Sequence, residues 1–367
     1  MRFQTGRAAS MALATAVIAG LAAWSPRPAH GQAAEPKTAE QVFKNIVELK
    51  GSPADQLMPG MQFIATSLGV ECTFCHVQGK MDLDDKPEKK TARAMIAMTG
   101  AINKNSFGGR QQVTCYSCHR GASHPVNVPL VLESDAPAPS APKPAAPDPS
   151  VTVDTVVGRY VAALGGADAI HAVMSRSLKG SIVAGGNEMP IEVLTKAPNK
   201  RISITRMGEG ESYTAFDGTA GWLGSKGRPA RDMTAAESGA SALDAEFYLA
   251  LHLKEIYPQL RVGRPDQIGG VDCQTLIGSG PGHPPVRLYF DTKTGLLVRM
   301  VRFAETPLGR MPTQIDYADY RVTDGVKIPF RWTLSRPNGR FTIQIAEVKS
   351  NIAVDDTRFA KPVPEAQ

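Results

Sequence analysis

The sequence is poor in several things, and each shortage removes a class of reading. Only one long apolar run occurs, from Met11 to Trp24, and its 14 residues fall short of the roughly 20 that a helix needs to cross a bilayer. No later stretch is long and apolar enough to span. Charge of one sign is also lacking: 41 basic residues stand against 35 acidic ones, a net +6 spread thinly along 367 residues. That balance gives no basic face of the kind nucleic acid requires, so nucleic acid is excluded as a partner. It is compatible with weak, steered docking to an acidic redox protein. There is no Gly-rich phosphate loop, no metalloprotease helix and no catalytic constellation. His171, His252 and His283 are scattered, and each reads as a surface or internally satisfied histidine. Cysteine is scarce, five in all, with none before Cys72 and hence no lipoprotein anchor.

The start of the chain reads as a targeting segment. Arg2 and Arg7 precede the apolar run, Pro26 and Pro28 follow it, and Ala29-His30-Gly31 places small residues where a signal peptidase reads. Residues 1–31 are therefore expected to be a signal peptide cleaved after Gly31, with an uncleaved N-terminal anchor as the rival. Either way the destination is the periplasm, where thiols tend to pair as disulfides.

Four of the five cysteines lie in two copies of one pattern: "CTFCH" at 72–76 and "CYSCH" at 115–119. C-x-x-C-H is the attachment signature of c-type haem. Two sulfurs on one short turn reach two vinyl positions of one porphyrin edge, and the next residue, histidine, falls under the iron. Cys72, Cys75 and His76 would hold one haem, and Cys115, Cys118 and His119 a second. A single zinc on Cys72, Cys75, Cys115 and Cys118 is the competing reading, but it leaves His76 and His119 without a role.

Each iron then takes a sixth ligand or keeps an open face. Leu57, Met61, Ile64 and Leu68 share one helical face, with Gly69 as the stop, and Pro59 places the start of regular helix near itself. Met58, ahead of the proline, is the weaker candidate. Met95, Met98 and Ile102 share a face of a second helix that opens at Asp84, Asp85 and Pro87. Met61 and Met98 are the chosen axial ligands; Met95 and His124 are alternatives for the second iron, His124 only five residues after His119 and next to Pro125.

The run "AEQVFKNIVELKGSPADQLMPGMQFIATSLGVECTFCHV", then "TARAMIAMTGAIN" and "VTCYSCHRG", resembles the cytochrome c subunit of photosynthetic reaction centres over residues 39–125, about a quarter of the chain. The resemblance implies helix–loop–C-x-x-C-H segments in which the helix supplies a methionine, two covalently bound haem c groups, and single-electron transfer with a redox protein or membrane-bound electron-transfer complex. That family subunit carries four haem segments and this chain two. The resemblance therefore implies a module reused in respiratory or other periplasmic electron transfer rather than in photosynthesis.

Residues 136–150, "APAPSAPKPAAPDPS", hold six prolines and no large apolar residue. Such a stretch favours polyproline II, which at roughly 3 Å per residue spans about 45 Å. The expected organisation is a small, mostly α dihaem cytochrome domain at 32–131, a Pro/Ala-rich linker at 132–150, and a second domain at 151–367. The second domain begins with a helical stripe, Val153, Val156, Val157, Tyr160, Val161 and Leu164, ended by Gly165-Gly166. The pattern then switches to period two in "IEVLTKA", "RISITRM", "ESYTAFD", "VRLYFD", "LLVRMVRF", "QIDYADYRV", "KIPFRWTLSR" and "RFTIQIAEV", with turns at Asp291–Gly295, Asp324-Gly325 and Asn338-Gly339. An α+β domain with one curved antiparallel sheet, a half-open β-barrel around a helix, is expected. "AFDGTAGW" and "DYRVTDGVKIPFRW", ending on Trp332, carry a resemblance to the outer-membrane lipoprotein-sorting and carrier family, which implies a cavity for acyl chains. Trp222, Phe247, Tyr289, Phe330 and Trp332 are the candidate lining. Cys273 reads as a buried free thiol in a strand.

Three functions follow: an electron carrier with a partner- or hydrophobic-ligand-binding domain, a peroxidase-like haem enzyme with one open iron, and a lipid or lipoprotein carrier with a haem sensor. The electron carrier, rather than an enzyme, is the preferred reading.

Overall fold

The computed structural model describes residues 37–125, 148–337 and 339–362. The targeting segment, the core of the proline-rich linker and Asn338 lie outside the described residues.

The first part is helical: α1 (Ala39–Val42), α2 (Leu57–Leu68), α3 (Cys72–Cys75), α4 (Pro87–Phe107) and α5 (Cys115–His119). Helix α2 starts two residues before Pro59, not at it. A 3-10 turn, Ala54–Gln56, leads in, and Pro59 occupies the first turn, where its missing N–H costs no helical hydrogen bond. Helix α4 has Pro87 at its first turn, as the sequence suggests, and ends on Gly108 in the left-handed conformation.

The second part opens with α6 (Val153–Leu164) and α7 (Ala167–His171). Thr152 caps α6, accepting from the Thr155 N–H at 3.1 Å, and Val156, Val157, Tyr160 and Leu164 are its buried face. Six strands follow: β1 (Ser175–Ala184), β2 (Asn187–Lys196), β3 (Lys200–Met207), β4 (Gly210–Phe216), β5 (Gly221–Ser225) and β6 (Arg228–Asp232). Helices α8 (Ala235–Ala245) and α9 (Leu249–Ile256) come next. Then come β7 (Arg261–Val262), β8 (Asp266–Ile268), β9 (Val271–Gly280), β10 (His283–Asp291), β11 (Leu297–Thr306), β12 (Gly309–Thr323), β13 (Val326–Arg336) and β14 (Gly339–Ser350).

All pair antiparallel in one sheet, in the order β6-β5-β4-β3-β2-β1-β14-β13-β12-β11-β10-β9-β7, with β8 on β9. Strand β1 closes the path by pairing with both β2 and β14, so the first and last strands of the domain meet mid-sheet. Arg201 on β3 and Arg302 on β11 line one cavity although five strands lie between them. A flat sheet would hold them roughly 29 Å apart at about 4.8 Å per strand, so the sheet is curled into an open half-barrel. Helices α6, α8 and α9 fill its concave side through Val156, Tyr160, Leu243 and Leu253. On the convex side the C-terminal segment lies over β2–β5: Phe359 packs with Leu194, Ile202, Ile204 and Trp222, and the Trp222 Nε1–H donates to the Phe359 carbonyl at 2.8 Å.

The helical part and the sheet touch. The β11–β12 turn, Pro307-Leu308, inserts Leu308 into a small cluster of Ala39, Leu49, Leu57, Met61 and Ile96. Gln111 Nε2 donates to the Pro307 carbonyl at 2.6 Å. The reach of the proline-rich segment is thus not used to keep the two parts separate. Gly309 sits at φ 152°, and a Cβ there would fall 2.5 Å from Cζ of Phe63. Gly309→Val should therefore destabilise the chain by about 2 kcal/mol through overpacking, read as a lower denaturation midpoint; an unchanged midpoint would show that the turn moves freely off α2.

Candidate functional site

Each C-x-x-C-H motif forms one turn of helix followed by a break. In α3 the His76 N–H closes the turn onto the Cys72 carbonyl at 3.1 Å, and His76 itself is extended, so Cys72 and Cys75 share one side of the turn. In α5, Thr114 and Ser117 form a reciprocal cap and Arg120 ends the helix in the left-handed conformation. All five cysteines are unpaired; Cys72 and Cys118 are exposed, and Cys75 and Cys115 are half-buried, where burial pushes their thiols up. The four motif cysteines stay in two separate pairs, and among the described residues no three His, Cys, Asp or Glu side chains converge on one metal position. The single-zinc alternative therefore has no site in this arrangement.

The two motif histidines are held alike. His76 Nδ1 lies 2.8 Å from the Met81 carbonyl, and His119 Nδ1 lies 3.0 Å from the Ala122 carbonyl. A carbonyl only accepts, so Nδ1 carries the proton in both rings and Nε2 keeps its lone pair. That is the tautomer a metal-ligating imidazole needs, oriented by the outer-shell hydrogen bond typical of such ligands.

The carbonyl that orients His76 is itself fixed. Lys89, buried, donates to the carbonyls of Met81 at 3.0 Å and Leu83 at 2.8 Å, and pairs with Asp84 at 3.1 Å. Asp84 also takes Arg93 at 2.8 Å and Asn45 at 2.9 Å, and Arg93 reaches the Asn45 carbonyl. The Arg93 hydrogen bond holds the Asp84 carboxyl well below the usual carboxylate range. This contribution is complete above the ordinary carboxylate pKa and is lost as pH falls through the lowered folded value.

The second motif is fixed by Asn103. Its side-chain oxygen accepts from the Gln112 and Val113 N–H groups, both at 3.0 Å, and its amide donates to the Val113 carbonyl at 2.7 Å. It is a buried residue in the last turns of α4, gripping the segment that enters α5. The end of α2 presses on the other side: the Gly121 N–H donates to the Ser67 carbonyl at 2.9 Å, and a Cβ on Gly69, at φ 65°, would overlap the Gly121 carbonyl. "MTGAIN" contained the signal for Asn103, but sequence reasoning assigned function to its methionine alone.

The candidate methionines differ in setting. Met61 is half-buried against Leu57, Ile96 and Leu308. Met98 and Met95 are 45% and 37% exposed on α4, and Met58 is 54% exposed. His124 is exposed. Ten of the fourteen exposed large apolar residues of the described chain fall within residues 37–125, whose buried apolar side chains are only Ala39, Leu49, Leu57, Phe63 and Ile64. Apolar surface concentrated around two cysteine pairs is what a flat apolar prosthetic group would cover. A shallow, open hollow beside α3 is lined by Val70, Glu71, Thr73, Phe74, Lys86 and Glu88. The residues present fit covalently held haem.

Residues 8–154 match the model of a known family, described as "Photosynthetic reaction centre cytochrome C subunit". The segment that carries both C-x-x-C-H motifs is thus similar to that family. Its relatives include the photosynthetic reaction center cytochrome c subunits of Thermochromatium tepidum (31% identical over 87 residues, 23% of this chain and 22% of that one) and Roseobacter denitrificans (34% over 109 residues, 25% and 29%). The chain thus spans about a quarter of the length of the curated relatives it matches. The sheet domain is similar to a LolA superfamily protein from Nitrosomonas europaea (TM-score 0.42, 13% identity, 58% of this chain and 99% of that one). An outer membrane lipoprotein-sorting protein domain from Vibrio parahaemolyticus is also similar (TM-score 0.39, 9% identity, 51% and 90%).

In the sheet domain, the candidate aromatics divide. Phe247 and Trp332 line the concave cavity, whereas Trp222 fills the convex-side core and Tyr289 and Phe330 are buried away from the cavity. Trp222 had looked like a lining residue because an aromatic in a strand carries no mark of which sheet face it is on. Cys273 is buried in β9 and unpaired, its thiol pushed up to about 11 by burial, so it is an inert core residue. His171 is exposed and His252 pairs with Glu246 at 2.9 Å. His283 begins β10, and its Nδ1 is buried without a partner, not satisfied as the sequence suggests. Among the described residues no helix is long and apolar enough to cross a membrane.

Asn103→Ala would strip the Val113 N–H and carbonyl of their partner, while the Gln112 N–H keeps the Arg110 carbonyl at 2.8 Å, and should cost about 2 kcal/mol. Urea denaturation of the full chain checks it; a loss below about 0.5 kcal/mol would remove Asn103 from this role.

Proposed function

We propose that residues 32–131 form a periplasmic dihaem c-type cytochrome that carries single electrons to or from a membrane-bound redox partner, and that residues 151–367 bind a hydrophobic ligand. The observation that carries the first part is the matched pair of imidazoles, each at the end of a C-x-x-C turn, each with Nδ1 committed to a backbone carbonyl and Nε2 left for iron. Cys72 and Cys75 would hold one porphyrin and Cys115 and Cys118 the other. The haem iron supplies a one-electron Fe(III)/Fe(II) couple. The protein's own contribution is to fix both imidazole planes through the Asp84–Lys89 and Asn103 contacts. A Met81 or Ala122 carbonyl accepting from Nδ1–H makes each imidazole a stronger donor. Met61 and Met98 would supply sixth ligands, which raise the potential and close the iron against small molecules. Reuse outside photosynthesis is supported by the two haem motifs and the large sheet domain. The hydrophobic-ligand reading of residues 151–367 is supported by a cavity of about 480 Å³ on the concave face, lined by Leu178, Ile182, Ile343 and Trp332 among others.

Pyridine haemochrome analysis of the protein matured in a periplasm tests the first part. Two haems per chain are expected, falling to one in Cys115→Ala/Cys118→Ala; no haem in the parent chain would overturn the reading. Met61→Ala and Met98→Ala should each lower the potential of one haem and admit an exogenous ligand such as imidazole. Retention of a low-spin, ligand-resistant spectrum would remove that methionine, and a high-spin parent would favour the peroxidase-like alternative.

A further inference from the structure

The concave cavity has two unlike walls. One is apolar, built from Leu178, Ile182, Ile343 and Trp332 on β1, β14 and β13. The other is polar. Strand β3 sends Ile202 and Ile204 to the convex core, which leaves Arg201, Ser203 and Thr205 facing the cavity, with Thr195 and Thr214 on the neighbouring strands. A cavity for hydrocarbon alone has no use for that wall.

The charges in it do not balance. Arg176, Arg201, Arg302 and Arg336 line the cavity with two carboxylates, Asp244 and Glu246. Asp244 is committed to Arg302 at 2.7 Å. Glu246 accepts from His252 at 2.9 Å and from the Tyr248 N–H at 3.2 Å. Among the described residues no carboxylate comes within ion-pair distance of Arg176, Arg201 or Arg336. Asp324 near Arg176, and Asp244 near Arg201 and Arg336, favour the charged forms without forming ion pairs with them. Arg176 stacks over Phe247 at 5.1 Å, and its Nε is buried with no partner. Burial pushes its guanidinium down to about 10, still charged at neutral pH, and lowers Arg201 in the same way.

Two of these guanidiniums form a pair by register. Arg176 on β1 stands opposite Thr195 on β2, and Thr195 opposite Arg201 on β3. Directly opposed residues point to the same face, so the row Arg176–Thr195–Arg201 presents two cations about 10 Å apart with a hydroxyl between them. Enclosed cations without counter-charges are costly and a guanidinium does not neutralise itself by losing its proton, so an anion is the missing partner.

Resting on the hydrophobic-ligand reading above, we propose that the cavity takes a single-chain amphiphile headgroup-inward: its carboxylate or phosphate lies on the Arg176–Thr195–Arg201 row, and its tail lies along the Leu178, Ile182 and Ile343 wall. Arg336, exposed at the cavity edge, adds to the attraction on entry.

The test is calorimetric titration of the full chain with hexadecanoate, hexadecyl phosphate, hexadecanol and inorganic phosphate, on the parent, Arg201→Gln and Arg176→Gln. The expected result is that both anionic amphiphiles bind at least tenfold tighter than hexadecanol, and that each variant loses about tenfold for the anions while keeping its affinity for hexadecanol. The stronger of the two anions identifies the headgroup. The denaturation midpoint of unliganded Arg201→Gln should rise, because a buried charge without an ion-pair partner is gone; this readout also confirms that the variant folds. Equal binding of hexadecanol and the anions, or unaltered anion affinity in both variants, overturns the headgroup assignment and leaves the hydrophobic-ligand reading standing. Inorganic phosphate binding as tightly as hexadecyl phosphate overturns the amphiphile. No binding of any long-chain compound overturns the hydrophobic-ligand reading itself.

Discussion

The hydrogen bond from histidine Nδ1 to a backbone carbonyl is the contact around which the helical part is organised. It fixes the tautomer and the plane of the ring at one stroke. A carbonyl in a loop is a poor anchor unless the loop is held, and the two loops are held by different means. Around His76 the means is charge: Lys89, Asp84, Arg93 and Asn45 bind residues 81–84 to α4. Around His119 it is a neutral amide, Asn103, together with the backbone approach of α2 at Gly69. Charge therefore holds the loop of His76, whereas the clamp on the segment that enters α5 is neutral.

The sheet domain follows the opposite principle. Its concave side is filled by helices for most of its extent, and what they leave open is a cavity with a cationic row at one side and aliphatic side chains at the other. The row exists because β3 uses its apolar alternation for the convex face, where the C-terminal segment and Phe359 cover it. One strand thus serves two surfaces of opposite character, which period-two alternation permits and a helix could not supply so cleanly.

Much of this was legible in the sequence. Cysteine and histidine spacing, Pro87 at the start of α4, the stripe of α6, and Asp324-Gly325 between β12 and β13 each carry a local rule that tertiary packing did not override. What was not legible depends on partners distant in the chain. Strand β1 reads poorly, with Ser175, Arg176, Ser177 and Lys179 interrupting it, and it forms because β2 and β14 pair with it on both sides. The hand-over of Trp222 to the convex core depends on residues near 359, and the cationic row appears only when three registers are aligned. Asn103 was visible but mute, since an asparagine near a helix end is ordinarily read as a stop and not as a clamp.

The turn between β11 and β12 has a consequence for the order in which the molecule comes together. Gln111 and Pro307 are 196 residues apart, and Leu308 completes an apolar cluster otherwise made by residues 39–96. The helical part leaves the ribosome first, yet its packing waits for strands made much later. Closure of so long a loop is slow, and in that interval the cysteine turns belong to a loose chain rather than a finished domain. The helical part therefore lacks one wall of its small apolar cluster until residue 308 has been made and its hairpin has folded.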